Sequence, residues 1–266
     1  MKVSIVGCGW LGLALGKKLS QEGFSVLGST TSKEKFDSLS NAGISPFLLK
    51  MDPMPTGENF NALFQTDVLV INIPPGRKRN TPEFYGEQIK YLKYLVDQHK
   101  VPKAIFVSST SYYPNTGDWV TETTNFDLEN GSTKAVVLGE REMRQVEAKL
   151  TVLRCGGLMG EERIPGKWFA GKATSGASTP VNYIHRDDVI NIIQQLIKGD
   201  LEEVDTLNLV CPEHPTRKEV HEAMAHKYNF DQPIWEAPEI IPSKRVSEKK
   251  LTDLGYSFLK PSPLDF

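Results

Sequence analysis

The stretch "VSIVGCGWLG" at residues 3–12 decides the fold of this chain. Its first residues form a short apolar run of the kind found in buried strands, and Leu11–Glu22 after it has the spacing of an amphipathic helix. Between these two segments lie three glycines with the spacing Gly-x-Gly-x-x-Gly, at Gly7, Gly9 and Gly12. Such spacing also occurs by chance in loops, so its meaning depends on the strand and the helix around it.

With a strand before them and a helix after them, the glycines fit a turn that holds a dinucleotide. Gly7 allows the tight turn, Gly9 lets the backbone approach a pyrophosphate, and Gly12 lets the helix pack against the strand. The pyrophosphate is expected at the helix amino terminus, where backbone N–H groups and the helix dipole favour negative charge. Trp10 and Leu11 lie in the same turn and belong to the predicted cofactor site. A glycine-rich turn without a ligand is the alternative.

Short apolar segments alternate with helical patterns as far as residue 155. The predicted strands lie at residues 3–6, 24–28, 44–49, 68–73, 104–107 and 151–155, with a Pro-rich loop before the fourth. The predicted helices lie at residues 11–22, 32–42, 82–99 and 133–149. This alternation predicts an α/β fold with a Rossmann-like, doubly wound parallel sheet covered on both faces. We expect a dinucleotide-binding core at residues 1–155 and a smaller carboxyl-terminal α/β substrate lobe at residues 156–266, with segments that return to the core in one compact unit.

Composition excludes several classes of function. The chain has 266 residues and a net charge of −2, which gives no electrostatic reason to expect nucleic acid or an anionic membrane as a partner. Its apolar runs are far shorter than the roughly 20 residues of a membrane span, and no signal-peptide pattern is present. The three cysteines form no disulfide framework, and neither they nor the five histidines have metal-ligand spacing. We therefore expect a cytoplasmic protein without a metal.

The residues after the second strand bear on the choice of cofactor. Folds that bind NAD usually carry Asp or Glu there, which accepts a hydrogen bond from the ribose 2′-hydroxyl. This chain has Thr30, Thr31, Ser32 and Lys33 instead, and hydroxyl groups with a lysine favour a 2′-phosphate. The prediction is therefore NADP, with NAD as the alternative. Thr31 and Glu34 also fit a helix capping box, and both interpretations can hold together.

The segment that follows the fourth strand is predicted to reach the same edge of the sheet. Ligands of such sheets bind outside the carboxyl ends of the strands, so Ile73, Pro74 and Pro75 are expected to contact the cofactor. Arg77, the first residue of an Arg-Lys-Arg triplet, is a candidate for binding an acidic substrate or a cofactor phosphate. A solvated charged loop explains this triplet equally well.

Three further stretches carry a resemblance to a known family. The segments "GCGWLG" at 7–12, "VSSTSYYP" at 107–114 and "VNYIHRDDV" at 181–189, together with the tail "KRVSEKKLTDLGY" at 244–256, resemble the extended short-chain dehydrogenase/reductase superfamily, the group of NAD-dependent epimerases and dehydratases. The resemblance covers nearly the whole chain. It implies a Rossmann-like core with a small carboxyl-terminal substrate lobe.

The resemblance also implies a catalytic set that this chain keeps only in part. Members of the superfamily use a Ser or Thr after the fifth strand and a Tyr-x-x-x-Lys pair on the next helix. Ser109 falls on the Ser/Thr position, with Thr110 as the alternative, if Tyr113 matches the family's tyrosine in that strand. With Glu140 aligned to the family's glutamate, Ser132 and Val136 occupy the tyrosine and lysine positions. The chain is therefore expected to be an atypical member.

The remaining candidates complete the predicted site. Ser109 and Tyr113 are the catalytic candidates, although a packed aromatic residue is the simpler interpretation of Tyr113. Arg163 and Lys167 stand where the substrate lobe begins and are candidates for binding an anionic group. His185 is interpreted as a structural hydrogen-bonding residue within its motif.

Two functions from different classes remain open. The first is an NADP-dependent oxidoreductase or epimerase-like enzyme that acts on a small polar metabolite, as a monomer or homodimer. The second is an NADP(H)-binding sensor or interaction protein without turnover, which the missing Tyr-x-x-x-Lys pair favours.

Overall fold

An eight-stranded sheet forms the centre of the computed structural model, which describes residues 1–76, 81–126, 133–237 and 241–265. The strands of this part of the chain are, in order, β1 (Lys2–Val6), β2 (Ser25–Thr30), β3 (Ile44–Asp52), β4 (Met54–Glu58), β5 (Val68–Ile71), β6 (Lys103–Ser109), β7 (Trp119–Val120), β8 (Lys149–Cys155), β9 (Gly157–Met159), β10 (Ala173–Thr174), β11 (Tyr183–His185), β12 (Thr206–Leu209), β13 (Ile234–Trp235) and β14 (Arg245–Val246). The α-helices are α1 (Trp10–Gln21), α2 (Phe36–Asn41), α3 (Pro82–Gln98), α4 (Lys134–Met143), α5 (Pro165–Trp168), α6 (Arg186–Lys198), α7 (Arg217–Lys227) and α8 (Lys249–Asp253).

The strand order confirms the predicted doubly wound sheet. It is β12-β8-β6-β5-β1-β2-β3-β4, and every neighbouring pair is parallel except the β3–β4 hairpin. From β1 the chain first builds outward through β2 and β3, and then returns to the other side of β1 with β5. Ligands of such folds bind at the carboxyl ends of the strands beside this reversal.

Alternating side chains of β1 build the two faces of the core. Val3 and Ile5 belong to the apolar cluster that contains α1 and α6, whereas Val6 belongs to the cluster that contains α3. Leu15 of α1 is 1% exposed. Complete burial of one such side chain contributes about 1.5–3 kcal/mol relative to its exposure to water. Because helices pack on both faces of the sheet, the position of the edge formed by the carboxyl ends of its strands is fixed by the core.

Three predicted segments differ from the structure, and one of them is the helix expected at residues 133–149, which ends at Met143 before β8 begins at Lys149. The stretch that was expected to be a Pro-rich loop instead extends β3 to Asp52 and forms β4, because Pro55 lies on an edge strand, where no ladder hydrogen bond is lost. The helix expected from residue 32 begins as a 3₁₀ turn at Lys33–Lys35 and continues as α2. The predicted capping box is absent, since Ser32, not Thr31, precedes this turn and its side chain makes no capping hydrogen bond.

The residues after 156 form small sheets and also return to the large one. Three short parallel pairs join β9 to β11, β10 to β13 and β7 to β14. Helix α5 packs against α7, while β12 pairs with β8 and α6 packs against α1. None of the helices that the structure describes is long and apolar enough to cross a membrane.

The segment "VNYIHRDDV" ties the tail of the chain to the core. The Asn182 side chain donates to the Lys244 carbonyl at 3.0 Å and accepts from the Val246 amide at 2.8 Å. The Asp188 carboxylate accepts from the Tyr256 hydroxyl at 2.8 Å. His185 accepts from the Asp187 amide and so caps α6, which agrees with its structural interpretation. The motif therefore fixes the position of the carboxyl-terminal segment.

Candidate functional site

The glycine turn lies between β1 and α1 and is held by two neighbouring strands. Gly7 has φ +103°, a conformation that favours glycine, and its amide donates to the Ser29 hydroxyl at 2.8 Å. The Asn72 side chain donates to the Gly7 carbonyl at 3.1 Å. A Cβ on Gly7 would lie 2.3 Å from the Asn72 carbonyl oxygen. Because β2 and the segment after β5 both contact the turn, its backbone is rigid before any ligand arrives.

Gly9 and Gly12 are glycines for different reasons. A Cβ on Gly12 would lie 2.4 Å from the Gly7 carbonyl oxygen, so Gly12 is required for the close packing of α1 on the turn. Around the corresponding position on Gly9, its chain neighbours aside, no heavy atom of the described residues lies within 4 Å. Gly9 also precedes α1 without a side-chain cap. The protein itself therefore does not require glycine at position 9, whereas an approaching ligand would.

A cavity of about 250 Å³ opens beside this turn. It brings together eight of the predicted site residues: Gly9, Trp10, Leu11, Ile73, Pro74, Pro75, Ser109 and Arg163. These residues come from the glycine turn, from the segment after β5, from the last residue of β6 and from the loop that follows β9. The cavity thus lies at the carboxyl ends of β1 and β5, where the strand order reverses. This is the location expected for a ligand site in such a sheet.

Ser109 is the catalytic candidate that the structure places at the cavity. Its hydroxyl oxygen accepts from the Ser111 amide at 3.2 Å and from the Ser111 hydroxyl at 3.0 Å. The neighbouring Ser108 donates to the Glu140 carboxylate at 2.6 Å. Thr110, the alternative candidate, is buried and does not line the cavity. The end of β6 therefore presents two hydroxyl groups to the cavity, that of Ser109 and that of Ser108, which Glu140 orients.

Tyr113 does not fit the catalytic role predicted for it. Its side chain is 0% exposed, and its hydroxyl donates to the Asn208 side chain at 2.7 Å and accepts from Arg154 at 2.8 Å. Burial raises its pKa to about 12. Tyr113 is absent from the cavity lining and lies in a separate apolar cluster with Val120 and Val246. The structure corrects this prediction, because the turn after β6 points Tyr113 into the core.

Val136, at the position that the resemblance assigns to the superfamily's lysine, lines the cavity. This residue of α4 is buried, so no ammonium group projects from that position. Ser132, at the tyrosine position, lies outside the described residues. A different tyrosine, Tyr85 of α3, reaches the cavity, but its hydroxyl donates to the Ile73 carbonyl at 3.1 Å and burial raises its pKa. At the position that the resemblance assigns to the lysine, the structure therefore presents an apolar side chain to the cavity.

The residues at the end of β2 lie beside the β3–β4 hairpin. Thr30 is buried, while Thr31 and Lys33 are exposed. The Lys33 ammonium forms an ion pair with Glu58 at 2.7 Å, and the Ser32 hydroxyl donates to the Glu34 carboxylate. The hydroxyl and lysine cluster is thus at the expected strand end, with two carboxylates close to it.

Two arginines lie on the ring of Trp10. The guanidinium of Arg163 is 4.3 Å from the ring centroid and that of Arg186 is 4.8 Å away. Arg163, in the loop after β9, therefore reaches the glycine turn and the cavity. Lys167 is exposed and does not line the cavity. Arg77 lies outside the described residues.

Sequence reasoning missed several residues that shape this site. Asn72 holds the glycine turn, Leu158 and Tyr85 line the cavity, and the buried Glu140 orients Ser108. Asn72 directly follows the most apolar strand, which was an available signal. Tyr85 and Leu158 carry no local signal, since a cavity-facing aromatic or leucine has the same spacing as a core residue.

Comparison with known proteins gives relatives that span the chain. Protein YeeZ of Escherichia coli (strain K12) is 32% identical over 272 residues, which cover 99% of this chain and 97% of that protein. The chain belongs to the family of Protein YeeZ. No protein-family model matches the sequence.

Several solved structures have the same fold as this chain. A putative NAD-dependent epimerase/dehydratase from Methylobacillus flagellatus has a TM-score of 0.76 and 20% identity over 98% of this chain and 94% of that one. The Bordetella bronchiseptica enzyme WbmH, solved in complex with NAD⁺, has a TM-score of 0.78 and 14% identity over 99% of this chain and 94% of that one. The resemblance to the extended short-chain dehydrogenase/reductase superfamily is confirmed at the level of the fold.

Proposed function

We propose that the protein binds a nicotinamide dinucleotide across the carboxyl ends of β2, β1 and β5, and that its cofactor is NADP(H). The open space at Gly9 carries this proposal, because no packing contact of the described residues requires a glycine there, whereas an approaching ligand would. Gly7, Gly9, Trp10, Leu11 and Gly12 would hold the pyrophosphate at the start of α1. The relative WbmH, solved with NAD⁺, supports the same use of the fold.

The preference for NADP(H) rests on the end of β2. Thr30, Thr31, Ser32 and Lys33 offer hydroxyl groups and one ammonium group where folds that bind NAD carry a carboxylate. Thr31 and Lys33 are exposed, so a 2′-phosphate can reach them. A phosphate accepts charge-assisted hydrogen bonds from such donors, whereas a 2′-hydroxyl gains less from them.

The proposed activity is that of an oxidoreductase or epimerase-like enzyme on a small polar metabolite. The nicotinamide supplies a hydride donor or acceptor when it is bound. Ser109 orients the substrate by hydrogen bonding, and Arg163 binds an anionic group of the substrate at the same cavity. Ser132 and Val136, at the positions of the superfamily's tyrosine and lysine, provide no Tyr–Lys pair for proton transfer, so hydride transfer to ordinary alcohol or sugar-nucleotide substrates is slow. General acid–base assistance contributes about 10²–10⁴ in rate where it is present.

The second candidate is an NADP(H) sensor without turnover. It is favoured by the apolar Val136 at the lysine position and by the buried Tyr113. The two candidates make different predictions for Ser109→Ala. An enzyme loses most of its turnover with this variant and keeps its cofactor affinity, whereas a sensor has no turnover to lose.

The test is a titration of NADPH by fluorescence and calorimetry with wild type, Gly9→Ala and Gly9→Val. We expect NADPH to bind to wild type and its affinity to fall stepwise as the side chain at position 9 becomes larger, while the circular dichroism spectrum stays unchanged. Equal NADPH affinity in wild type and Gly9→Val would refute the proposed binding mode. A screen of small hydroxy and keto acids with bound NADP(H) then separates the enzyme from the sensor.

We also propose where the protein is located in the cell and how it is assembled. All three cysteines, Cys8, Cys155 and Cys211, are buried and unpaired, which suits a reducing cytoplasm. We propose that the protein binds only a small molecule as its partner, and that it is a monomer or a homodimer.

A further inference from the structure

Glu58 lies in the same row of the sheet as the end of β2. Thr30, the last residue of β2, pairs with Leu48 of β3, and Leu48 pairs with Glu58 of the antiparallel strand β4. The row Thr30–Leu48–Glu58 therefore runs across three adjacent strands. It places a carboxylate of the edge strand at the same end of the sheet as Thr31 and Lys33.

An ion pair joins Glu58 to the residues proposed for the 2′-phosphate. The Lys33 ammonium lies 2.7 Å from a Glu58 carboxylate oxygen, and both side chains are more than half exposed. Glu34, on the same turn as Lys33, accepts from the Ser32 hydroxyl. Both the ammonium group and one hydroxyl group at this end of the sheet thus already have a carboxylate partner.

We propose that Glu58 determines the cofactor selectivity of this site by competing with a 2′-phosphate for Lys33. This inference rests on the proposed dinucleotide function and identifies the residue that limits its preference for NADP(H). With a 2′-hydroxyl, Lys33 stays paired with Glu58. With a 2′-phosphate, Lys33 must leave Glu58, and the remaining carboxylate repels the phosphate. The carboxylate that limits the preference for NADP(H) is therefore on β4 and not at the end of β2.

The size of the effect follows from the exposure of the pair. Ion pairs between exposed side chains are weak and are screened by salt. Glu58→Gln removes this competition and is therefore expected to raise the affinity for NADPH by about threefold to fivefold. NADH, which has no 2′-phosphate, is expected to bind with the same affinity within about 1.5-fold, since its hydroxyl does not displace Lys33.

The experiment is calorimetric titration of NADPH and NADH into wild type and Glu58→Gln at low and high salt. We expect Glu58→Gln to bind NADPH more tightly at low salt, to bind NADH as wild type does, and to lose most of its advantage at high salt. In a Lys33→Met background, Glu58→Gln should have a smaller effect, because the two residues act on the phosphate together. Asp253→Asn is the matched control, since it removes the carboxylate of another exposed ion pair, with Lys249 in α8.

The outcomes separate this inference from the function on which it rests. If wild type binds neither cofactor, the proposed function and the inference about Glu58 are both overturned. If wild type binds NADPH but Glu58→Gln leaves the ratio of the two affinities unchanged, or raises both affinities equally, Glu58 is not a selectivity residue and the proposed function stands. A change of the same size in Asp253→Asn also overturns the inference, because it would then reflect net charge alone.

Discussion

Glu140 of α4 and Arg154 of β8 form a buried, two-pronged ion pair beneath the cavity. The Arg154 Nε donates to one carboxylate oxygen at 3.0 Å and its Nη2 donates to the other at 2.8 Å, with both side chains under 5% exposed. The same carboxylate accepts from Ser108, and the same guanidinium donates to Tyr113. One ion pair therefore links α4 and β8 to the end of β6 and to the turn after it.

Glu140→Gln should destabilise the protein strongly. Removal of one charge leaves the Arg154 guanidinium buried without its counter-charge, which costs about 3–5 kcal/mol in comparable pairs. The free energy of unfolding from urea titration measures this loss. Asp253→Asn, at an exposed pair, should change the same quantity by less than about 0.5 kcal/mol. Equal losses in the two variants would contradict the account of the buried pair.

Gly12→Ala should damage the fold where Gly9→Ala does not. The added Cβ at position 12 meets the Gly7 carbonyl oxygen, and overpacking of this kind costs about 1–3 kcal/mol. At position 9 the added Cβ enters open space, so we expect a change below about 1 kcal/mol, from the weaker helix cap alone. Thermal and urea unfolding of both variants check this. The reverse order would mean that the turn is packed differently.

Thr31→Asp should shift the preference from NADP toward NAD. The new carboxylate opposes a 2′-phosphate and offers the 2′-hydroxyl of NAD an acceptor. Hydrogen bonds to charged groups are worth roughly 1.5–3 kcal/mol, so a change of about tenfold or more in the ratio of the two affinities is expected. Thr31 is exposed and makes no helix cap, so stability should not change. Calorimetric titration with both cofactors measures this ratio. An unchanged ratio would mean that these residues only begin the 3₁₀ turn and do not select the cofactor.

Stability should fall as the pH is lowered from about 6.5 to 4, and His221 should supply part of that slope. Burial lowers the pKa of His221 to about 4, from 6.5. Between these values the unfolded chain binds more protons than the folded one, so the free energy of unfolding decreases as the pH falls, by up to about 3 kcal/mol from this group. Burial also lowers the pKa of His185 and His214, which adds to the slope.

His221→Gln should flatten this slope, and His226→Gln, at an exposed position of the same helix, should leave it unchanged. Urea titrations at pH 4.5, 5.5, 6.5 and 7.5 measure both. A slope that is the same in wild type and His221→Gln would show that this imidazole does not titrate in the window.

Much of the fold was predictable because its signals are local. An apolar run, three glycines and a helical pattern follow one another within residues 3–22, and each depends only on near neighbours in sequence. The alternation of strands and helices then fixed a parallel sheet and the edge at which a ligand binds. The β3–β4 hairpin was missed, because an edge strand rich in Pro and Gly has the composition of a loop.

The direction of individual side chains was decided only by tertiary structure. Ser109 ends β6 and Tyr113 lies four residues later, yet Tyr113 enters the core beside Arg154 and Ser109 faces the cavity. No local pattern distinguishes these two outcomes, since the partners of Tyr113, Asn208 and Arg154, are far from it in sequence.

By itself, the sequence of this protein determined the glycine turn, the doubly wound sheet and the edge of the sheet at which a ligand is expected. Tertiary structure alone decided that Tyr113 is buried, that Tyr85 and Leu158 line the cavity, and that Glu58 meets Lys33. The physical reason is the range of the interactions. Backbone conformation and hydrophobic periodicity depend on neighbours within a few residues, whereas cavities and ion pairs form between segments that only the folded chain brings together.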